Sequence, residues 1–102
     1  MNENLKAMEI LNQLGGNKFI SMAGARNFIS DANSLTFKIM RNFTGITHVV
    51  IKVNALDLYD IEFLKINIRQ KIVKGLRFDI FAKDLQDVFS EATGLQREYS
   101  CL

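Results

Sequence analysis

At 102 residues the chain has the size of one domain, spanning 1–102, with no room for a second core. Its composition, 48% apolar and 24% charged with a net charge of +2, is that of a globular protein and excludes a disordered one. A core this small also excludes a large enclosed prosthetic group, so no cofactor is expected.

The one cysteine, Cys101, has no partner within the chain, which rules out a disulfide framework and a cysteine-based zinc site and suits a reducing compartment. No prenylation or myristoylation signal, secretory leader or spanning segment is visible, so a soluble cytoplasmic protein with no membrane partner is expected. Without a secretory signal, the sequon Asn42-Phe43-Thr44 reads as chance.

Residues 3 to 14 space Leu5, Met8, Leu11 and Leu14 at helical intervals, with Ala7 and Ile10 beside them, and predict a helix that Gly15 and Gly16 stop. The short apolar run Lys18 to Ala23 reads as a first strand. Gly24 to Ser34, rich in Asn, Asp and Ser, reads as a polar loop of about ten residues. Leu35, Phe37 and Ile39 alternate with Thr36, Lys38 and Met40 as in a half-buried strand, and Arg41 to Gly45 turns the chain.

Thr47, Val49, Ile51 and Val53 put a β-branched face on the next strand, with His48, Val50 and Lys52 opposite. Over residues 58 to 68 the apolar set slips phase, from Tyr59, Ile61 and Phe63 to Leu64, Ile66 and Ile68, which predicts a bulge near Phe63-Leu64. Leu76, Phe78 and Ile80 resume alternation. Asp84 is placed to cap a helix over about 84 to 93 with Leu85, Val88, Phe89 and Ala92 on one stripe, and Gly94 ends it with Leu95 set against Phe89. Consecutive strands between two helices predict an α+β domain, a mainly antiparallel sheet of four or five strands flanked by N- and C-terminal helices. Its expected core includes Leu5, Met8, Leu11, Val49, Ile51, Val53, Leu85, Val88 and Phe89.

Little in the chain points to catalysis. His48, the one histidine, has no nucleophile or orienting carboxylate near it in sequence. Asp60 and Glu62 share a strand face beside Asp57, but Glu62 and Lys65 are three apart and face opposite sides, unlike the Glu-Lys pair of metal-dependent nucleases; Asp79 could join only through tertiary structure. Asp31-Ala32-Asn33 opens like a calcium loop yet has Thr36 and Asn42 where glycine and glutamate are required, and no Gly-Lys-Ser/Thr phosphate loop occurs. No catalytic residue and no metal site are expected.

Charge is distributed unevenly. Residues 17 to 56 hold Lys18, Arg26, Lys38, Arg41 and Lys52 against Asp31 alone, residues 65 to 78 hold five bases and no acid, and residues 79 to 102 are net −3. The tripeptide Arg26-Asn27-Phe28 recurs as Arg41-Asn42-Phe43. Cations for phosphates and rings for bases are what a sheet that binds single strands uses, so Lys18, Arg26, Asn27, Phe28, Lys38, Arg41, Asn42 and Phe43 form the candidate binding set.

The stretches Asn17-Lys18-Phe19-Ile20, Gly24-Ala25-Arg26-Asn27-Phe28, Arg41-Asn42-Phe43, Leu56-Asp57-Leu58-Tyr59-Asp60 with Glu62-Phe63, and Thr93-Gly94-Leu95 together resemble a family of short proteins encoded by bacteriophages and prophages. The resemblance covers roughly residues 15 to 95; where that family often has proline before the second Arg-Asn-Phe, this chain has Met40. It implies an accessory protein of a mobile element, in a bacterial host, and carries no catalytic or binding residue with it. The expectation is a non-enzymatic module that binds a protein partner through the 24 to 34 loop and the 41 to 45 turn. The alternative is a single-stranded nucleic-acid-binding protein using the basic strands and the Arg-Asn-Phe loops. A sheet face or edge left bare by two short helices would be covered by a second copy, giving a homo-oligomer.

Overall fold

A computed structural model describes residues 2–42 and 44–94, the side chains of residues 2–6 excepted. The order is α1 (Asn2–Leu14), α2 (Gly16–Ala23), β1 (Arg26–Ser30), β2 (Ser34–Lys38), β3 (His48–Val53), β4 (Tyr59–Ile66), β5 (Lys71–Ile80) and, after a short 3-10 turn at Ala82–Asp84, α3 (Leu85–Thr93). The five strands form one antiparallel sheet in sequence order, β1-β2-β3-β4-β5, so the fold is α+β as the pattern of elements predicts.

The core lies between the helices and one face of the sheet. Leu35, Phe37, Val49, Ile51, Ile61 and Phe63 point inward from alternating strand positions and meet Ile10 and Leu14 of α1, Phe19 and Ala23 of α2, and Leu85 and Phe89 of α3. The Phe19 ring binds the layers together: its centroid lies 5.6 Å from that of Phe37 and 4.9 Å from that of Phe89, both edge-on. Such pairs add about 0.5–1.5 kcal/mol each to the burial of their rings.

The β-branched strand has its expected face: Val49 and Ile51 are fully buried and Val53 packs against the core. The irregularity expected near Phe63-Leu64 falls in the partner strand: β4 pairs with β3 without a break, so Phe63 faces the helices and Leu64 the other side, and Lys74 of β5 is the extra residue between the partners Gly75 and Val73. Gly94 closes α3 in the left-handed conformation. The contact expected between Leu95 and Phe89 falls outside the described residues, as does the Leu5 side chain.

Four expectations are corrected. Lys18 to Ala23 is helix, not strand: Phe19 and Ala23 sit one turn apart and are buried, with Ile20 and Met22 flanking them, so neighbours that cannot share a strand face share a helical stripe. The 24 to 34 stretch is not a loop. Its residues 26–30 form β1, exposed along its whole length and held by pairing to β2, and only a tight turn at residues 31–33 remains, closed by the Asp31 N–H donating to Ser34 O at 2.9 Å. Met8 is 60% exposed, because the buried stripe of α1 runs through Ala7, Ile10 and Leu14. Asp84 occupies the N-cap position of α3 but makes no side-chain capping bond, and the 3-10 turn leads the chain into the helix instead.

Candidate functional site

Register brings the charged positions together. On the sheet face away from the helices, Arg26 of β1 pairs with Lys38 of β2, Lys38 with His48 of β3, and His48 with Leu64 of β4. Just past this row the chain leaves β2, crosses residues 39–47 and enters β3. An open cleft of about 320 Å³ forms at this end of the sheet, lined by Arg26, Lys38, Arg41 and Lys65 with Asn42 and Thr47, and among the described residues no carboxylate lies in its wall. That volume is at the lower bound of small-molecule sites, enough for one phosphate-bearing unit rather than an engulfed cofactor.

The floor of the cleft is held by Asn42. Its Nδ2 donates to Met40 O at 3.0 Å and to Ile46 O at 2.8 Å, and its Oδ1 accepts from the Thr44 N–H at 3.2 Å and from the Thr44 hydroxyl. The Met40 N–H donates to Ala23 O, tying the same loop to the end of α2. Asn42 is therefore a brace for the loop, with its amide engaged inward, and Arg41 beside it projects as an exposed cation.

His48 registers the field of the cluster. Burial first, then the charges of Lys38 and Arg26, hold its ring below the usual histidine pKa. The Thr47 hydroxyl accepts from the Ile66 N–H at 2.9 Å and lies 2.7 Å from His48 Nδ1, so a neutral ring accepting the Thr47 proton satisfies both.

The rest of the candidate set lies elsewhere. Lys18 is on an exposed turn of α2. Asn27 takes a left-handed conformation, φ 57°, where the β1–β2 register is irregular. Phe28 turns toward the helix side, its ring centroid 5.7 Å from that of Phe37, and lines a groove with Met8 and Leu11. It is not placed to stack a base over the cleft. Phe43 falls outside the described residues. Lys65, missed as a member of the site, had one signal in the sequence: it opens the acid-free stretch 65 to 78.

The acidic residues occupy the opposite end of the sheet. Asp60 Oδ1 accepts from Asn54 Nδ2 and from the Asp79 N–H, both at 3.0 Å, while Asn54 Nδ2 also donates to Asp79 Oδ1 at 2.8 Å. Asp79 thus does join Asp60, through a bulge in β5 where it adopts φ 57°. Among the described residues no group of three or more His, Cys, Asp or Glu side chains could hold a metal ion, and no helix is long and apolar enough to cross a membrane.

No family model, curated protein or solved structure matches the chain.

Proposed function

We propose that the chain is a non-enzymatic binding module, an accessory protein in line with the phage resemblance, whose cationic cleft takes the phosphodiester backbone of a single-stranded nucleic acid. One observation carries this reading: four cations, Arg26, Lys38, Arg41 and Lys65, converge on one cleft whose wall holds no carboxylate among the described residues. The case for a protein partner rests on a polar loop at 24 to 34; residues 26–30 of that stretch are strand β1, and Arg41, Asn42 and Gly45 of the 41 to 45 turn line the cleft itself. Because the Phe28 ring faces Phe37, recognition runs through phosphates, with base identity read weakly.

Fluorescence anisotropy with a labelled oligothymidylate tests the proposal. Phosphate contacts on a single strand contribute about 0.7 each to the slope of log affinity against log salt, so four give about −3 and affinity falls roughly 50-fold between 50 and 200 mM salt. Arg41→Ala should flatten the slope by about 0.7. Poly-glutamate serves as the competitor: displacement of the oligonucleotide only at large excess supports a phosphate site, whereas tighter binding of poly-glutamate, or no oligonucleotide binding at low salt, refutes it.

A further inference from the structure

The sheet has a second face, which none of the described helices covers. In its central row Thr36, Val50, Glu62 and Leu76 lie side by side from β2 to β5, and in the row toward the acidic end Ser34, Lys52 and Asp60 do the same, with Phe78 next to Asp60 in a shallow hollow. Leu76 is 45% and Phe78 63% exposed. Leu64, opposite His48 on this face, is buried although it lies outside the helix-side core. The exposed Leu76 and Phe78 of β5, continuous with Leu64, form an apolar patch that marks an interaction surface.

Its edge is poorly suited to the task. β5 carries Lys71, Lys74 and Arg77, and its pairing with β4 shifts register twice, two devices that discourage one sheet from extending into another. The other edge, β1, carries Arg26 and an irregular register between Arg26 and Ile29, so stacking of faces is the arrangement that remains.

We infer that this face binds the same face of a second copy of the chain, making a two-fold dimer. The charges on it are arranged self-complementarily: Arg26, Lys38 and Lys52 stand on β1, β2 and β3 and Asp60 and Glu62 on β4, so the two signs occupy opposite halves. A two-fold axis lying in the interface, parallel to the strands and between β3 and β4, sets β4 of each copy over β3 of the other. Asp60 then meets Lys52 of the second copy, twice by symmetry, while Leu76 and Phe78 cover Thr36 and Ser34. Five strands about 4.8 Å apart and six residues of about 3.4 Å rise give a footprint of roughly 480 Å² per copy, near the lower bound of specific interfaces. The dimer is accordingly weak and concentration-dependent. The same axis leaves both cationic clefts at one end of the assembly.

Sedimentation velocity on the full chain from about 5 to 500 µM tests this without reference to what the cleft binds. The expected result is a mass rising from 11.6 kDa toward twice that value with concentration. Leu76→Glu and Lys52→Glu should each hold the protein monomeric at the highest concentration, with far-UV dichroism confirming the fold; should Leu76→Glu fail to fold, the exposed Lys52 position decides. A single mass of 11.6 kDa throughout overturns the proposal and leaves the face to a different protein, and a dimer retained by a folded variant overturns it too.

Discussion

Asn42→Ala separates a ligand-binding asparagine from a structural one. In the wild type the side chain donates to Met40 O and Ile46 O and accepts from the Thr44 backbone and hydroxyl, all within one half-buried loop. At about 0.5–1.5 kcal/mol net per hydrogen bond, and with water replacing part of what is lost, the substitution should destabilise the fold by about 2 kcal/mol. In a domain of this size that lowers the melting temperature by about 10 °C. Urea unfolding followed by dichroism should show a lower midpoint with an unchanged slope, because the surface exposed on unfolding is the same. Arg41→Ala is the contrast: Arg41 is exposed, so stability should stay within about 0.5 kcal/mol while oligonucleotide binding weakens. A loss under about 0.5 kcal/mol for Asn42→Ala, together with weakened binding, would mean that the amide serves the ligand and that the loop is held by something else.

Gly24→Ala should destabilise by about 2 kcal/mol or more: Gly24 ends α2 at φ 62°, and an added Cβ would lie 2.9 Å from Met40 Cβ, an atom that cannot swing away; a thermal melt within about 2 °C of wild type would refute the close approach. For His48 the folded pKa lies below 6.5, so as pH falls through that value the unfolded chain takes up the proton first and stability declines, while above it this residue adds no slope. Urea midpoints measured between about pH 5 and 8 should fall on the acid side in wild type and less so in His48→Gln, and identical profiles for the two would refute the assignment.

The elements that could be read from sequence are those where side chains carry the signal. β3 is legible because its buried face is β-branched, whereas the apolar pair Phe63-Leu64 marks a stretch of β4 buried on both faces, with the bulge in the neighbouring β5. β1 is invisible for the converse reason: all five of its residues are exposed, and the pairing of its backbone with β2 makes it a strand. The run at 18 to 23 is short enough to suit either period, and burial of Phe19 against Phe37 and Phe89 decides for helix. On α1 apolar residues spread around too much of the circumference to tell Met8 from Ile10. The site shows the same division, since the cations of the cleft could be counted in the sequence but Lys65 joins Arg41 only through the order of the strands.

The two ends of the sheet treat charge differently, and this bears on which of them is free to bind. At the acidic end Asp60 stands opposite Lys52 on the neighbouring strand and its Oδ1 accepts from Asn54 and from the Asp79 N–H, so opposite charges are neighbours there. At the basic end Arg26 and Lys38 are paired across adjacent strands, a like-charge arrangement that opposes folding, and after burial their charges add to the lowering of the His48 pKa. The surrounding fold tolerates that repulsion because the residues 39–47 are tied down by Asn42 and by Met40 to Ala23. An anion in the cleft would relieve it, and a ligand that binds the native state alone stabilises that state. Matched charge at one end and unmatched charge at the other make the cationic end the one that gains by taking a polyanion, and they hold the strand away from the acidic end.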